Sequence, residues 1–104
     1  MYRLTILYGM PDDPDHFREY YLTRHIPLAR RMRGLTGWNL SWIDRDAADP
    51  GPYLLIAELY AESRQAMDAI LASPAGVAAR EDVARFATGS VEMLFGAEEE
   101  VALT

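Results

Sequence analysis

"FREYYLTRHIPLARRMRG", Phe17 to Gly34, is the stretch whose reading decides the fold. On a wheel of about 100° per residue, Phe17, Tyr21, Leu28 and Met32 fall to one side of His25. Leu22 and Ala29 fall to the other side, and Arg24, Arg30 and Arg31 point away. The spacing predicts one helix over residues 14–33, with Gly34 as a left-handed C-cap. His25 then sits at the centre of the buried arc, two residues before Pro27. A proline inside a helix donates no backbone hydrogen bond and crowds the carbonyl four residues back, here that of Thr23. The helix should therefore bend or loosen beside His25.

Working outward, Tyr2 to Met10 alternates as a strand, with Tyr2, Leu4, Ile6 and Tyr8 on one face. "GMPDDPD", Gly9 to Asp15, is turn chemistry that places acids at a helix start, where the helix dipole favours them. Trp38 to Asp44 reads as a second strand, with Trp38, Leu40 and Trp42 sharing a face. "DRDAADPGP", Asp44 to Pro52, reads as a loop and Tyr53 to Tyr60 as a third strand. "YLLIA" is apolar on both faces, as expected of a strand covered on both sides. Ser63 is an N-cap for a helix through Leu71, "SPAG" breaks it, and Val77 to Phe86 is helical again. Val91 to Phe95 is the last strand.

The order strand, helix, strand, strand, helix, strand is the split βαβ pattern. It predicts an α+β, ferredoxin-like domain over residues 1–104, a four-stranded antiparallel sheet with helices on one face. The other face is apolar too, around Leu54 to Ala57, and a second copy is the simplest cover. A homodimer with facing sheets is expected.

Composition limits the function. The net charge is −6, from 16 acidic and 10 basic residues, and every basic residue is Arg. Such a chain is a poor binder of nucleic acid or of anionic membranes. The basic run Arg30, Arg31, Arg33 complements a helix C-terminus. With no cysteine there is no disulfide, thiol nucleophile or cysteine metal site. The first residues lack the pattern of a signal peptide, and no segment reaches the roughly 18 apolar residues of a membrane span. A cytoplasmic location is expected.

Two readings of His25 follow from spacing. It is either a core histidine paired with a tyrosine or a carbonyl, or a ligand-facing group suited to proton transfer near neutral pH. His16 and His25 stand on different faces, so they form no metal pair. There is no G-x-G-x-x-G after a strand and no phosphate loop, so a nicotinamide enzyme finds little support.

The chain resembles the EthD family of small dimeric α+β barrels. The likeness rests on Tyr8 followed by "PDDPDHFREYY", on "HIPL" at His25 to Leu28, on "AELYAESRQAMDAIL", and on "SPAG…ED…F" from Ser73 through Asp82 to Phe86. It covers nearly the whole chain. It implies a pocket between each sheet and its helices, with the family's histidine at His25 and its late aspartate at Asp82. It also implies a link to oxidative degradation and polyketide tailoring; related barrels include isomerases, cyclases, cofactor-free oxygenases and haem proteins.

The expected catalytic residues are thus His25 and Asp82, with Asp82 orienting His25 or acting alone. The alternative for Asp82 is an N-cap for the stretch leading to Phe86. Tyr8, Tyr21, Trp38 and Trp42 are the expected contacts to a flat hydrophobic ligand, either by stacking or by donating to an enolate oxygen. No cofactor is expected, with haem the one alternative. The chain is read as an enzyme moving a proton on, or oxidising, an aromatic or polyketide-like molecule. The other reading is a non-catalytic ligand binder serving a partner oxygenase.

Overall fold

A computed structural model describes residues 1–46 and 48–104. The elements are β1 (Tyr2–Gly9), α1 (Pro14–Tyr20), a π-helical turn (Tyr21–His25), α2 (Ile26–Ala29), β2 (Gly37–Trp42), β3 (Tyr53–Ala61), α3 (Arg64–Ala72), α4 (Pro74–Val83) and β4 (Val91–Ala97). The four strands form one antiparallel sheet in the order β2-β3-β1-β4. This is the α+β, ferredoxin-like architecture that the strand–helix order predicted. The stretch between β2 and β3 carries no helix or strand in its described residues, and Ala47 of the expected loop lies outside them.

Register explains the two faces. Leu4, Ile6 and Tyr8 of β1 stand opposite Leu59, Ala57 and Leu55 of β3, and opposite Phe95, Met93 and Val91 of β4. Opposite residues share a face, so these rows form the floor of the core. Above it lie Phe17, Tyr21, Met67 and Phe86, all buried. Rings meet there mostly edge to face: Tyr8 to Phe17 at 5.4 Å, Phe17 to Phe86 at 5.1 Å, Tyr8 to Tyr21 at 5.8 Å. Such pairs add about 0.5–1.5 kcal/mol each beyond the area they bury.

The single long helix expected over residues 14–33 is three pieces. Asp13 caps it, accepting from the His16 N–H at 3.1 Å, with Pro14 in the first turn. After Tyr20 the backbone widens, and the Ile26 N–H donates to the Tyr21 carbonyl, five residues back. Two local causes converge there. Pro27 has no N–H for the Thr23 carbonyl, and the Thr23 hydroxyl donates to the Glu19 carbonyl at 2.7 Å, competing with the ladder. A wheel of uniform pitch fails through such a turn, and Leu22, expected inward, is 40% exposed.

Other boundaries move for identifiable reasons. The helix ends at Ala29 rather than Arg33, and the Arg31 and Met32 amides donate only three residues back. Gly34 does take a positive φ of 104°, but beyond the helix end. "SPAG" starts a helix as well as ending one. Ser73 accepts from the Gly76 N–H at 3.1 Å, and α4 begins at Pro74 rather than Val77. Asp82 therefore lies in the last turn of α4 and is no N-cap.

Gly76 marks where α4 turns tightly against α3. A Cβ there would meet the Ile70 carbonyl oxygen and, at 2.7 Å, Leu71 Cα, all backbone that cannot swing aside. Gly76→Ala should lower unfolding stability by about 1–3 kcal/mol, read as a reduced urea midpoint at unchanged m-value.

Candidate active site

His25 and Asp82 stand 57 positions apart in the chain and meet inside the helical layer. His25 closes the π-turn, and Asp82 projects from α4. His25 Nδ1 lies 3.0 Å from Asp82 Oδ2, and the two residues are only 5% and 6% exposed. A carboxylate accepts, so the histidine proton sits on Nδ1 and the lone pair is left on Nε2. The other carboxylate oxygen is also used: the Tyr20 hydroxyl donates to Asp82 Oδ1 at 2.9 Å. The Arg85 guanidinium stands 3.9 Å from that same oxygen on the exposed side. Tyr20 lies flat along Phe86 at 5.4 Å, which fixes its ring.

Burial pulls the His25 pKa below its ordinary value near 6.5; the Asp82 carboxylate pulls the other way without prevailing. Tyr20 and Arg85 explain the weakness of that pull, since both draw on the same carboxylate. His25 accordingly favours its neutral form, with a free lone pair, at neutral pH.

His25 forms part of the wall of a cavity between sheet and helices. Tyr8, Tyr21, Trp38, Met32 and Ala79 line it too, and Arg80 reaches its edge. Asp82 is not in the wall and meets the imidazole at Nδ1. The space measures about 30 Å³, room for about two waters. Among the described residues, no cluster of three or more His, Asp or Glu could hold a metal ion.

Burial holds the Tyr8 hydroxyl far above its usual pKa, and the nearby Asp82 carboxylate acts in the same direction. The Tyr21 hydroxyl is raised chiefly by burial as well. Both remain donors at any working pH. Tyr8 Oη and Trp38 Nε1 are buried without a hydrogen-bond partner among the described residues. Leaving such donors unpaired costs about 1–3 kcal/mol each.

Of the expected ligand contacts, Tyr8, Tyr21 and Trp38 reach the cavity and Trp42 does not. Trp42 lies further along β2, edge-on to Phe17 at 6.3 Å and Tyr21 at 6.0 Å, with the Arg18 guanidinium 4.5 Å from its ring centre. Its face is covered by a cation, not open to a ligand. Two further residues of the site, Tyr20 and Arg80, escaped sequence reasoning. Tyr20 stands one residue off the buried stripe, and Arg80 looked like any exposed helix charge.

Comparisons with known proteins identify the family and the fold. The model of the EthD domain matches residues 11–90. An uncharacterised 11.0 kDa protein of Rhodococcus erythropolis, from the thcB–thcC intergenic region, is 40% identical over 97% of this chain and 98% of its own length. Among solved structures, an ethyl tert-butyl ether d (EthD) family protein of Bacillus halodurans superposes with a TM-score of 0.87 at 26% identity, over 95% of this chain and 99% of the other. SnoaB, a cofactor-independent oxygenase of Streptomyces nogalater, superposes with a TM-score of 0.60 at 14% identity, over 99% of this chain and 96% of the other; this likeness concerns the fold.

Two outcomes test the dyad. Because the folded pKa of His25 is depressed, the unfolded chain takes up its proton first on acidification. The stability tied to neutral His25 is therefore present above pH about 6.5 and lost as pH falls through the lower folded value. Thermal unfolding between pH about 7.5 and about 5 should show this loss, and His25→Gln should flatten it. Tyr20→Phe removes one donor from Asp82, which then holds an imidazolium better. The His25 pKa should rise in an NMR titration; an unchanged or lower value overturns the linkage.

Proposed function

The chain belongs to the EthD family, and from that premise we propose that it is a cofactor-free enzyme moving a proton on a hydrophobic, aromatic or polyketide-like small molecule. The supporting observation is the buried His25–Asp82 pair at 3.0 Å, with the imidazole in the cavity wall. His25 Nε2 takes a proton from carbon or oxygen of the ligand. The electron pair stays on the ligand as an enolate or phenolate, and Asp82 stabilises the imidazolium that forms. Asp82 is a positioning residue, since it reaches the ligand only through His25. The electron-rich anion is the common start of isomerisation, cyclisation and oxidation.

The cavity is smaller than an aromatic ring system, so such a ligand enters by displacing flexible, unbranched wall side chains such as Met32 and Met93. Met32 lies on the link after α2 and Met93 on the edge strand β4, so neither is held within a helix or at the centre of the sheet.

The test is deuterium uptake at the acidic carbon of 2-tetralone, a flat aromatic ketone, followed by proton NMR. Exchange should be saturable and fall by about 100-fold or more in His25→Gln. It should be nearly independent of pH above about 6.5, because the base form is already populated there. Saturable binding of the ketone without His25-dependent exchange overturns the enzyme reading and favours a ligand-binding accessory to a partner oxygenase.

We further propose that the protein works as a homodimer of one EthD-like domain, a second copy covering the sheet face away from the helices. That face carries Leu7 opposite Ile56, with Thr5 opposite Leu94 beside them. Leu94 is 56% exposed, and the Thr5 hydroxyl has no partner among the described residues. Sedimentation should give twice the chain mass, and Ile56→Arg should give a folded monomer; a monomeric wild type overturns the pairing.

A further inference from the structure

We infer that the groove between the link after α2 and the junction of α3 with α4 docks the acidic segment beyond β4 of a second copy of this chain. Glu99 and Glu100 of that copy meet Arg31 and Arg33, and its Val101 and Leu103 enter the groove. The groove measures about 380 Å³, and its wall includes Arg31, Arg33, Ala69, Ile70, Pro74 and Ala75. The link packs closely on α3 here: a Cβ on Gly34 would lie 3.2 Å from Ile70 Cδ1. Ile70 is buried and both arginines are exposed, so the groove joins an apolar floor to a cationic edge.

The fold itself does not use these cations. The α2 helix ends at Ala29, and its dipole acts only over the last turn, whereas Arg31 and Arg33 lie past the end. Among the described residues neither forms an ion pair, not even with Asp68 on the neighbouring α3. They stand unmatched in a chain whose net charge is −6.

Residues 98–104 have the complementary make-up. Three glutamates precede Val101 and Leu103, which are 76% and 94% exposed, the highest values of any large hydrophobic side chain among the described residues. In an extended segment, side chains two positions apart point the same way, so these two can enter a groove together. Glu98 is held within its own chain: its N–H donates to the Met1 carbonyl, and its carboxylate lies 3.9 Å from Arg3. Glu99 and Glu100 form no ion pair among the described residues.

The segment leaves from the edge strand β4, and no residue of it lines the groove of its own chain. A second copy supplies the segment and offers its own groove in return. Reciprocal exchange of this kind closes as a two-fold pair. Exposed ion pairs are weak alone, so the apolar contact carries affinity and the charges select the partner. Neither surface lies on the sheet or in the cavity, so the docking stands apart from the proposed activity and from the sheet pairing.

The chain has no cysteine, so Thr104→Cys gives a single thiol for a nitroxide label. This chain is mixed with an isotope-labelled chain that carries no nitroxide, each at about 1 mM, where even a millimolar contact is populated. The Ala69, Ile70 and Ala75 methyl signals should broaden. Arg31→Glu with Arg33→Glu on the isotope-labelled chain should remove the broadening, and Glu99→Arg with Glu100→Arg on the spin-labelled chain should then restore it. Three results overturn the inference: no broadening between copies, broadening that survives the first reversal, or broadening that fails to return with the second. Broadening seen only when both labels are on one chain overturns it too, because the segment then folds onto its own groove. If the groove variant does not fold, Glu99→Arg with Glu100→Arg alone decides, since residues 98–104 belong to no helix or strand and their reversal must remove the broadening.

Discussion

Pro27 has no amide hydrogen to give, and the geometry of the site follows from how the helix accommodates that. A regular helix would bring that amide to the Thr23 carbonyl. Instead the backbone widens into a π-turn over Tyr21–His25, with the Thr23 hydroxyl drawn to Glu19. The wider turn keeps Tyr21 and His25 both inward and turns Leu22 out. A π-turn is costlier than a regular one and persists only where surrounding packing holds it. Here the aromatic cluster of Tyr8, Phe17, Tyr21 and Phe86 does so.

The same layer makes a buried ion-forming pair tolerable. Asp82 inside an apolar layer would be strongly destabilising alone. It is satisfied on both oxygens, by His25 and by Tyr20, with the exposed Arg85 guanidinium 3.9 Å away. The layer also leaves Tyr8 and Trp38 unpaired, at a cost of a few kcal/mol together. Edge-to-face ring contacts are of similar size in sum and can offset it. Polar groups are thus matched around Asp82, while the Tyr8 hydroxyl and the Trp38 indole nitrogen are buried without a partner among the described residues.

The same layer joins the two sequence-level readings of His25. The histidine is paired, as a core histidine should be, and it also lines a cavity. The sheet divides its labour in a similar way: the face bearing Tyr8 and Trp38 carries the cavity, and the opposite face bears Leu7, Ile56 and Leu94.

Much of this was legible in the chain itself. Period-two alternation in Tyr2–Tyr8 and the Ser63 cap located strands and a helix, because backbone geometry and local hydrogen bonding act over a few residues. His25 stood out for the same reason, as a polar group on an apolar stripe beside a proline. Asp82 was within reach only through the family resemblance, because it is separated from His25 by 57 positions along the chain. Local signals suggested a cap instead. Tyr20, Arg80 and the exclusion of Trp42 lay beyond local reading altogether. Whether an aromatic residue fills a core, lines a cavity or lies under an arginine depends on its neighbours from other elements. Sequence by itself determined the elements, their order and the one misplaced histidine, through short-range periodicity and capping. Only the tertiary structure decided which polar atoms are matched, since pairing between the π-turn and α4 is a property of packing and has no period along the chain.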